Sequence, residues 1–559
     1  MIKRYTIGLD FGTLSARAVL LRLSDGKIMA EAEAAYAHGV MDERLPDGSA
    51  LPGKGWALQD PADYLDCLFA CVRTVMEKSG APPEEVAGLG VDFTSCTLLP
   101  VGADQTPLCS LEPYKENPHA YVKLWKHHRA GVHADRLNRL AEQRREPWLA
   151  RYGGRISGEW LIPKAMELLA EAPQIYHAAA RIIEAGDWVV SMLCGEERRS
   201  ACQAGYKAVW DPESGYPSYD FLEALMPGLG DLPQKLGRDI LPVGIQAGGL
   251  CEDMARKLGL LPGTAVATAI IDAHASVPGC GVGEEGTLLV ILGTSSCHML
   301  LSRRERKAAG LCGCVRDGIL PGFYGYEAGQ SCVGDHFSWY MENCLPARYE
   351  REAARQGIST YRLLGNMIER RPPGAHGLLA LDWWGGVRSP LMDFSLSGLL
   401  AGLTLRTRPE DIYQALVEAT AYGTRKIIQV YEESGLPVHR IVAAGGIAAK
   451  DPAVMQIYAD VCGREIRVAG GRQSGARGSA ILAAVAAGPA LSGYADAVTA
   501  VQALGDPGKK VFRPDAARAR AYDALYKAYS ALYSYFGEGG SELMHRLHSM
   551  NETKEETEE

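Results

Sequence analysis

The sequence predicts an α/β protein built from two large domains of related topology. Strand-like and helix-like segments alternate along the whole chain, which points to the α/β class. At 559 residues the chain is too long for one hydrophobic core. A short pattern also recurs half a chain apart. "LDFGTLSARAVLL" (9–21) and "VILGTSSCHMLL" (290–301) both read apolar strand, Gly-Thr-x-Ser turn, apolar strand. Two such hairpins suggest a duplicated unit.

The elements follow in chain order. "YTIGLD" and "ARAVLLRL" read as strands joined by the tight turn "FGTLS". Residues 41–60, "MDERLPDGSALPGKGWALQD", are rich in Gly, Pro and Asp and predict a long surface loop. "VAGLGVDFT" is a buried strand. "DIYQALVEATAYGTRKIIQVYEESG" predicts a long helix after Pro409, ended by Gly435, with Ile412, Leu416, Ala419 and Gly423 near one face. "RIVAAGG" and "REIRVAG" read as strands on either side of the helix "DPAVMQIYADVCG", which has Pro452 in its first turn. The tail "EGGSELMHRLHSMNETKEETEE" turns polar and acidic and is expected to fray into disorder after residue 540.

Bulk properties exclude several function classes. Hydrophobic content of 47% and charged content of 22% are ordinary for a globular enzyme. A net charge of −9 argues against a nucleic-acid partner. No apolar run is long enough to span a bilayer, and "MIKRYTIGLDFGT" leaves no room for a signal peptide, so a cytoplasmic location is expected. The 14 cysteines are scattered without a CxxC pair. Cys312-Gly-Cys314 lacks a second pair at zinc spacing, so reduced thiols are expected.

Three pieces carry chemistry. A Gly-Thr-x-Ser turn offers backbone N–H groups and hydroxyls with little bulk, an array suited to anions and above all phosphates. Asp10 lies at the mouth of the first turn, where a carboxylate beside phosphates calls for a magnesium ion between them. Arg17 could add a charge-assisted bond. One such turn could be a plain hairpin; two on opposite halves favour a phosphate clamp. The second piece is "AAGGIAAKDP" (443–452), where Gly445-Gly446 lets a flat ligand approach the backbone. It is not G-x-G-x-x-G, which argues against a nicotinamide oxidoreductase. The third is Asp272 in "ATAIIDAHASVPG". A lone carboxylate among small residues leaves space for a substrate whose hydroxyl proton it could accept. A helix cap or a hinge salt bridge would also explain it, and His274 is the rival base.

Together, Asp10-Phe11-Gly12-Thr13, Gly293-Thr294-Ser295, Gly445-Gly446 and Asp272 resemble the FGGY family of carbohydrate kinases. That family belongs to the actin, hexokinase and Hsp70-like ATPase superfamily. The resemblance spans roughly residues 4–535 and is carried by seven segments in order: "LDFGTLSARAVL", "HGVMDERLPDGSALPGKGWALQDPADYL", "GVDFTSCTLLP", "IIDAHAS", "GYEAGQSCVGDHFSWY", "LDWWGGVRSPLMDFSLSGLLAG" and "GGIAAKDPAVMQIYADVCGR". Within the family these are most similar to the members that phosphorylate L-ribulose. Two departures stand out. Gly385 and Val387 replace residues that are often Asn, which touches the second domain's surface or packing. Asp451 stands where Asn is usual near the nucleotide.

The resemblance implies a two-domain actin/hexokinase/Hsp70-like fold of duplicated ribonuclease H-like domains around an interdomain cleft. Residues 1–275 would carry the sugar site, the first phosphate loop and the catalytic Asp. Residues 276–538 would carry the second phosphate loop and the adenosine site, and 539–559 the tail. Asp272 resembles the catalytic base, with Asp10 and Asp272 at a magnesium ion and Asp10 acting through water. Gly12, Thr13, Ser15, Arg17, Gly293 and Thr294 resemble phosphate contacts; Gly334, Gly445, Gly446 and Lys450 resemble the rest of the ATP site. Cys96, Lys207, Asp272 and Glu327 resemble the sugar pocket, with Cys96 a small buried hydrophobe rather than a nucleophile. The implied reaction is ATP- and magnesium-dependent phosphorylation of L-ribulose to L-ribulose 5-phosphate in L-arabinose catabolism. The implied partners are a small sugar, other 2-ketopentoses included, and further copies of the chain in a homodimer or larger assembly; neither nucleic acid nor membrane is expected. A family kinase for D-ribulose, D-xylulose or glycerol is the alternative, and an actin- or Hsp70-like ATP-driven binding protein lies further off.

Overall fold

Each half of the chain builds a seven-stranded mixed sheet, and the two share one plan. A computed structural model of the protein describes residues 2–471 and 473–558, with side chains described through Met550. In the first sheet the hairpin Tyr5–Phe11 and Ser15–Arg22 is antiparallel, Ile28–Ala35 extends it, and Val86–Phe93 and then Ala265–Ala267 add parallel on the other side. In the second sheet the hairpin Thr287–Leu292 and Ser296–Ser302 is flanked by Tyr324–Gln330 on one side and by parallel Arg440–Ala444 and Ile466–Val468 on the other. The strand order therefore repeats from one half to the other. The recurring hairpins of the sequence are the central antiparallel pair of each sheet.

Strand composition follows position. Val86–Phe93 is buried at every residue, as a central strand covered on both faces must be. Helix Pro409–Glu433 opens on a proline at its first turn. It is buried without a break from Tyr413 to Thr424, so it is a core helix of the second half rather than one with a single apolar face. Helix Pro452–Cys462 is capped by Asp451 and stopped by Gly463 in the left-handed region.

Two short helices join the halves. Asp272–Gly279 crosses Ser474–Ala487 so closely that a Cβ on Gly478 would lie 1.7 Å from the carbonyl oxygen of Ala275. The second of these helices also lies directly on the first sheet: a Cβ on Gly8 would meet the Ala476 carbonyl at 1.8 Å. This backbone-to-backbone packing places the N-terminus of Asp272–Gly279 on the floor between the halves.

Two expectations need correction. Segment 41–60 is not a surface loop throughout: Met41, Leu45, Leu51, Trp56 and Leu58 are buried, and Met41 bridges to Leu58. Its sparse apolar residues dock on a side domain of helices and a four-stranded sheet, a pattern the Gly and Pro content hides. The tail does not fray after residue 540. It forms a helix, Leu543–Glu558, whose Met544 is buried and whose His545 Nε2 lies 2.8 Å from Asp393 Oδ2. All 14 cysteines are free thiols. Among the described residues no single helix is long and apolar enough to cross a membrane.

Candidate functional site

Two cavities meet at the turn Gly293-Thr294-Ser295. One, of about 520 Å³, has Ser295 and Cys297 on its wall together with Cys96, Lys207, Asp272 and Glu327. The other, of about 440 Å³, takes in Gly293, Thr294, Gly334, Gly446 and Lys450. The turn is the partition between them. Residues predicted for a sugar thus share the first chamber, and five of the ten predicted for ATP share the second; Gly12, Thr13, Ser15, Arg17 and Gly445 do not line it.

Asp272 begins its helix, half-buried, and its Oδ1 accepts the Ala273 N–H at 2.7 Å. Burial, and next the charge of Asp10, lift its pKa to about 7. Asp10 is the penultimate residue of the strand Tyr5–Phe11, in register with Arg17 on one side and Asp92 on the other. Arg17 Nη1 lies 3.4 Å from Asp10 Oδ2, and its Nε and Nη2 reach Glu33 and Ser15. Ser15 donates its hydroxyl to Glu33 at 2.8 Å. Ser15 and Arg17 are therefore tied into a strand-face network with Glu33, and Arg17 alone continues to Asp10.

Both glycine turns close in the same way. Gly12 N–H donates to the Ser15 carbonyl at 3.0 Å, and Gly293 N–H to the Ser295 carbonyl at 3.0 Å. Thr13 is held from the first chamber, where Trp125 Nε1 donates to its Oγ1 at 3.3 Å. On the second turn rests the start of helix Gly334–Asn343, with Gly334 N–H donating to the Gly293 carbonyl at 2.9 Å. Gly445 has φ +93° and sits so near Leu292 that a Cβ would lie 2.3 Å from its carbonyl oxygen, so a side chain cannot be accommodated there. Lys450 ends the short helix that follows and is exposed at the rim. Asp451 uses Oδ1 to accept the Ala453 and Val454 N–H groups at 3.0 and 3.3 Å while bordering the nucleotide-side chamber. Of the other departures, Val387 is buried in the second half's core and Gly385 packs on Ser331, so both act on packing.

In the first chamber Lys207 Nζ lies 3.3 Å from Glu327 Oε2 and 5.3 Å from the Trp160 ring centroid. Burial disfavours the ammonium, yet Glu327 outweighs it and raises the Lys207 pKa. Cys96 is buried with its pKa pushed up to about 11 by burial, so it is a thiol and not a nucleophile at neutral pH.

Sequence reasoning misses four residues here. Asp92 is fully buried, accepts the Ser479 hydroxyl at 2.7 Å through Oδ2, and leaves Oδ1 without a partner. Burial, then Asp10, raise its pKa well above the carboxylate range. The signal was a carboxylate inside the apolar "GLGVDF", the same signal that marks Asp272. Trp125 and Trp160 line the sugar-side chamber, and Arg388 pairs with Glu327. His274 is not placed beside Asp272: on a helix the two point apart, and its ring is buried between Cys202 and Glu327.

A cation would find oxygen donors at Asp10, Asp92 and Asp272, the ligand type magnesium takes. These three do not form a tight ligand group; among the described residues the one such group is His119, Glu167 and Glu171, far along the side domain. The unpartnered Asp92 oxygen fits an ion that keeps its own waters.

Comparison with known proteins gives the family. Residues 5–279 match the N-terminal domain, and residues 288–487 the C-terminal domain, of the FGGY family of carbohydrate kinases. A ribulokinase of Bacillus licheniformis is 52% identical over 535 residues, covering 96% of this chain and 97% of that protein. A ribulokinase of Geobacillus thermodenitrificans is 48% identical over 554 residues, covering 99% and 98%. In fold, the solved xylulose kinase of Rhodospirillum rubrum is similar with a TM-score of 0.77 at 24% identity, over 95% of this chain and 98% of that one. The chain belongs to the FGGY family of carbohydrate kinases.

Proposed function

We propose that the protein is an ATP-dependent ribulokinase, transferring the γ-phosphoryl group of ATP to the terminal hydroxyl of L-ribulose to give L-ribulose 5-phosphate. The observation that carries this reading is the pair of chambers divided by the second Gly-Thr turn, with Asp272 on the floor of one and the phosphate-type turn forming the wall of the other. The full-length relatives named ribulokinase support the acceptor.

Phosphoryl transfer needs positioning and charge stabilisation more than covalent chemistry. The sugar is uncharged, so its pocket must offer donors and acceptors; Lys207, Cys96, Trp125 and Asp272 supply a mixed wall for it. Asp272 orients the terminal hydroxyl and takes its proton onto the carboxylate as the new P–O bond forms. The bond from the γ-phosphorus to its bridging oxygen breaks, and ADP leaves. Gly12 and Gly293 spend their N–H groups closing the two turns and add no bulk, so Thr13 and Thr294 hold the phosphates with their backbone N–H and hydroxyl groups. Gly334, Gly445-Gly446 and Lys450 line the nucleotide beyond them. Asp10 and Asp272 would hold magnesium through its waters, and bound there the ion would neutralise phosphate charge. The halves close over the substrates, since an open site would let water compete for the phosphoryl group.

The test is Asp272→Asn. Turnover should fall by about two to four orders of magnitude while sugar binding, measured by calorimetry, stays within about tenfold. Retention of most of the turnover would refute the base assignment. Phosphorus NMR of the wild-type product should show a single phosphate ester on the terminal carbon; an ester elsewhere would refute the regiochemistry.

A further inference from the structure

Three side chains from both halves of the chain meet at one carboxylate. Glu327, on the strand Tyr324–Gln330 of the second half, is buried on the wall of the sugar-side chamber. Its Oε1 accepts from Arg388 Nη2. Its Oε2 faces Lys207 Nζ at 3.3 Å and His274 Nε2 at 3.3 Å. Lys207 and His274 belong to helices of the first half, Ala201–Lys207 and Asp272–Gly279; Arg388 belongs to the second. A carboxylate offers about four lone-pair sites. Three are already spent, so Glu327 has at most one left for a sugar hydroxyl and acts more as a hub than as a receptor.

His274 is equally committed. With Nε2 donating to an acceptor-only carboxylate, its Nδ1 is left as an acceptor, and Cys202 Sγ lies 3.2 Å from it. The ring is 1% exposed and lies 4.2 Å from the Tyr206 ring centroid. Neither nitrogen is free to take a proton from a substrate. Arg388 differs: part of its guanidinium remains open to the chamber, and it reaches Glu327 from a loop held by paired backbone bonds between Val387 and Asp393, each 2.8 Å. Lys207 spends one of its three N–H groups on Glu327 and keeps the others for the chamber.

We propose that Arg388 and His274 are positioning residues for the sugar: they pin the Glu327 carboxylate from opposite halves of the chain, and Glu327 in turn aims the free N–H groups of Lys207 at the acceptor. This deepens the kinase reading and rests on it for its kinetic test. It also predicts that sugar affinity depends on two side chains that need not be the groups making the main hydrogen bonds to the sugar.

The test combines kinetics with one spectroscopic measurement. Arg388→Met should raise the acceptor KM by about 10- to 100-fold, the loss expected for a charge-assisted bond. The ATP KM should stay within about twofold and kcat at saturating sugar within about fivefold. Arg388→Lys should recover only part of the loss, because an ammonium cannot reproduce the fork. His274→Leu should raise the acceptor KM likewise, and His274→Gln, which keeps a donor near the Nε2 position, should restore it to within about threefold. A general structural lesion would instead move both KM values and the Tm together, without rescue by Gln. A His274→Gln variant with unchanged acceptor KM and kcat down by about 100-fold or more would make His274 catalytic and overturn the proposal. Nitrogen NMR of histidine-labelled wild type, with the His274 signals assigned by their loss in His274→Gln, needs no substrate. It should show the proton on Nε2 and none on Nδ1; a proton on Nδ1 alone would overturn the hub. If no ketopentose is phosphorylated yet the Nε2 proton is found, the functional reading falls and the hub geometry stands.

Discussion

The base proposed for the reaction, Asp272, carries a cost to the fold. Its pKa of about 7 lies well above the ordinary carboxylate value, because burial and then Asp10 disfavour its charge. A general base works deprotonated, so kcat/KM should rise with pH through about 7 and level off above it. A flat profile across that range would contradict the role. The stability sign is the reverse. Between the unfolded carboxylate value and about 7 the folded state holds a proton that the unfolded state has released, so stability falls as pH rises through this window. Asp272→Asn should therefore raise the Tm of the free protein by about 2–4 °C at about pH 8 and leave it unchanged at about pH 4. A lower Tm at the higher pH would refute the account. Asp272 was legible in the sequence because a lone carboxylate among Ile, Ala and Ser demands a reason. Asp92 sends the same signal from within "GLGVDF", but its partners, Asp10 across the strand and Ser479 from a helix nearly 390 residues on, come from register and tertiary packing. Arg388 and His274 were illegible as partners of Glu327 for the same reason: each is an ordinary residue until the halves meet.

At the scale of elements, two predictions follow from close backbone contact and from capping. Helices Asp272–Gly279 and Ser474–Ala487 cross where Gly478 has no room for a Cβ, with the Ala275 carbonyl 1.7 Å from where it would stand. Gly478→Ala should destabilise by about 1–3 kcal/mol or more, since backbone rather than a flexible side chain must move, and should lower kcat by tilting Asp272. Calorimetry with parallel kinetics checks both, and a wild-type Tm would contradict the packing. Asp451→Asn keeps an equally good N-cap, so stability should change by less than about 0.5 kcal/mol. Removing the charge beside the nucleotide chamber should lower the ATP KM by about two- to fivefold. An unchanged ATP KM would show that Asp451 is remote from bound nucleotide. Most elements were readable from period and punctuation: the hairpin at 5–22, the strand at 86–93, the Pro-started helices at 409 and 452. The segment 41–60 and the tail were misread because composition reports solubility, whereas a few anchors such as Trp56 and Met544 decide docking.

For the whole molecule, two sheets of repeated strand order hold a divided cleft, and the parts that do chemistry come from both sides of it. Lys207 and His274 approach Glu327 from one half, Arg388 from the other. Such a site is complete only when the halves are together, so sugar and a non-hydrolysable ATP analogue should jointly reduce the radius of gyration in X-ray scattering. No change with both bound would argue against closure. The recurring Gly-Thr-x-Ser hairpin announced this duplication, but the meeting of Lys207 and His274 with Glu327 across the halves is a property of their arrangement alone.

The most direct measurement is ADP release with magnesium and ATP across L-ribulose, D-ribulose, D-xylulose, L-xylulose and glycerol. The account predicts sugar-stimulated release with kcat/KM highest for L-ribulose. Preference for another polyol would contradict the acceptor assignment, and no stimulation by any of them would contradict the kinase itself.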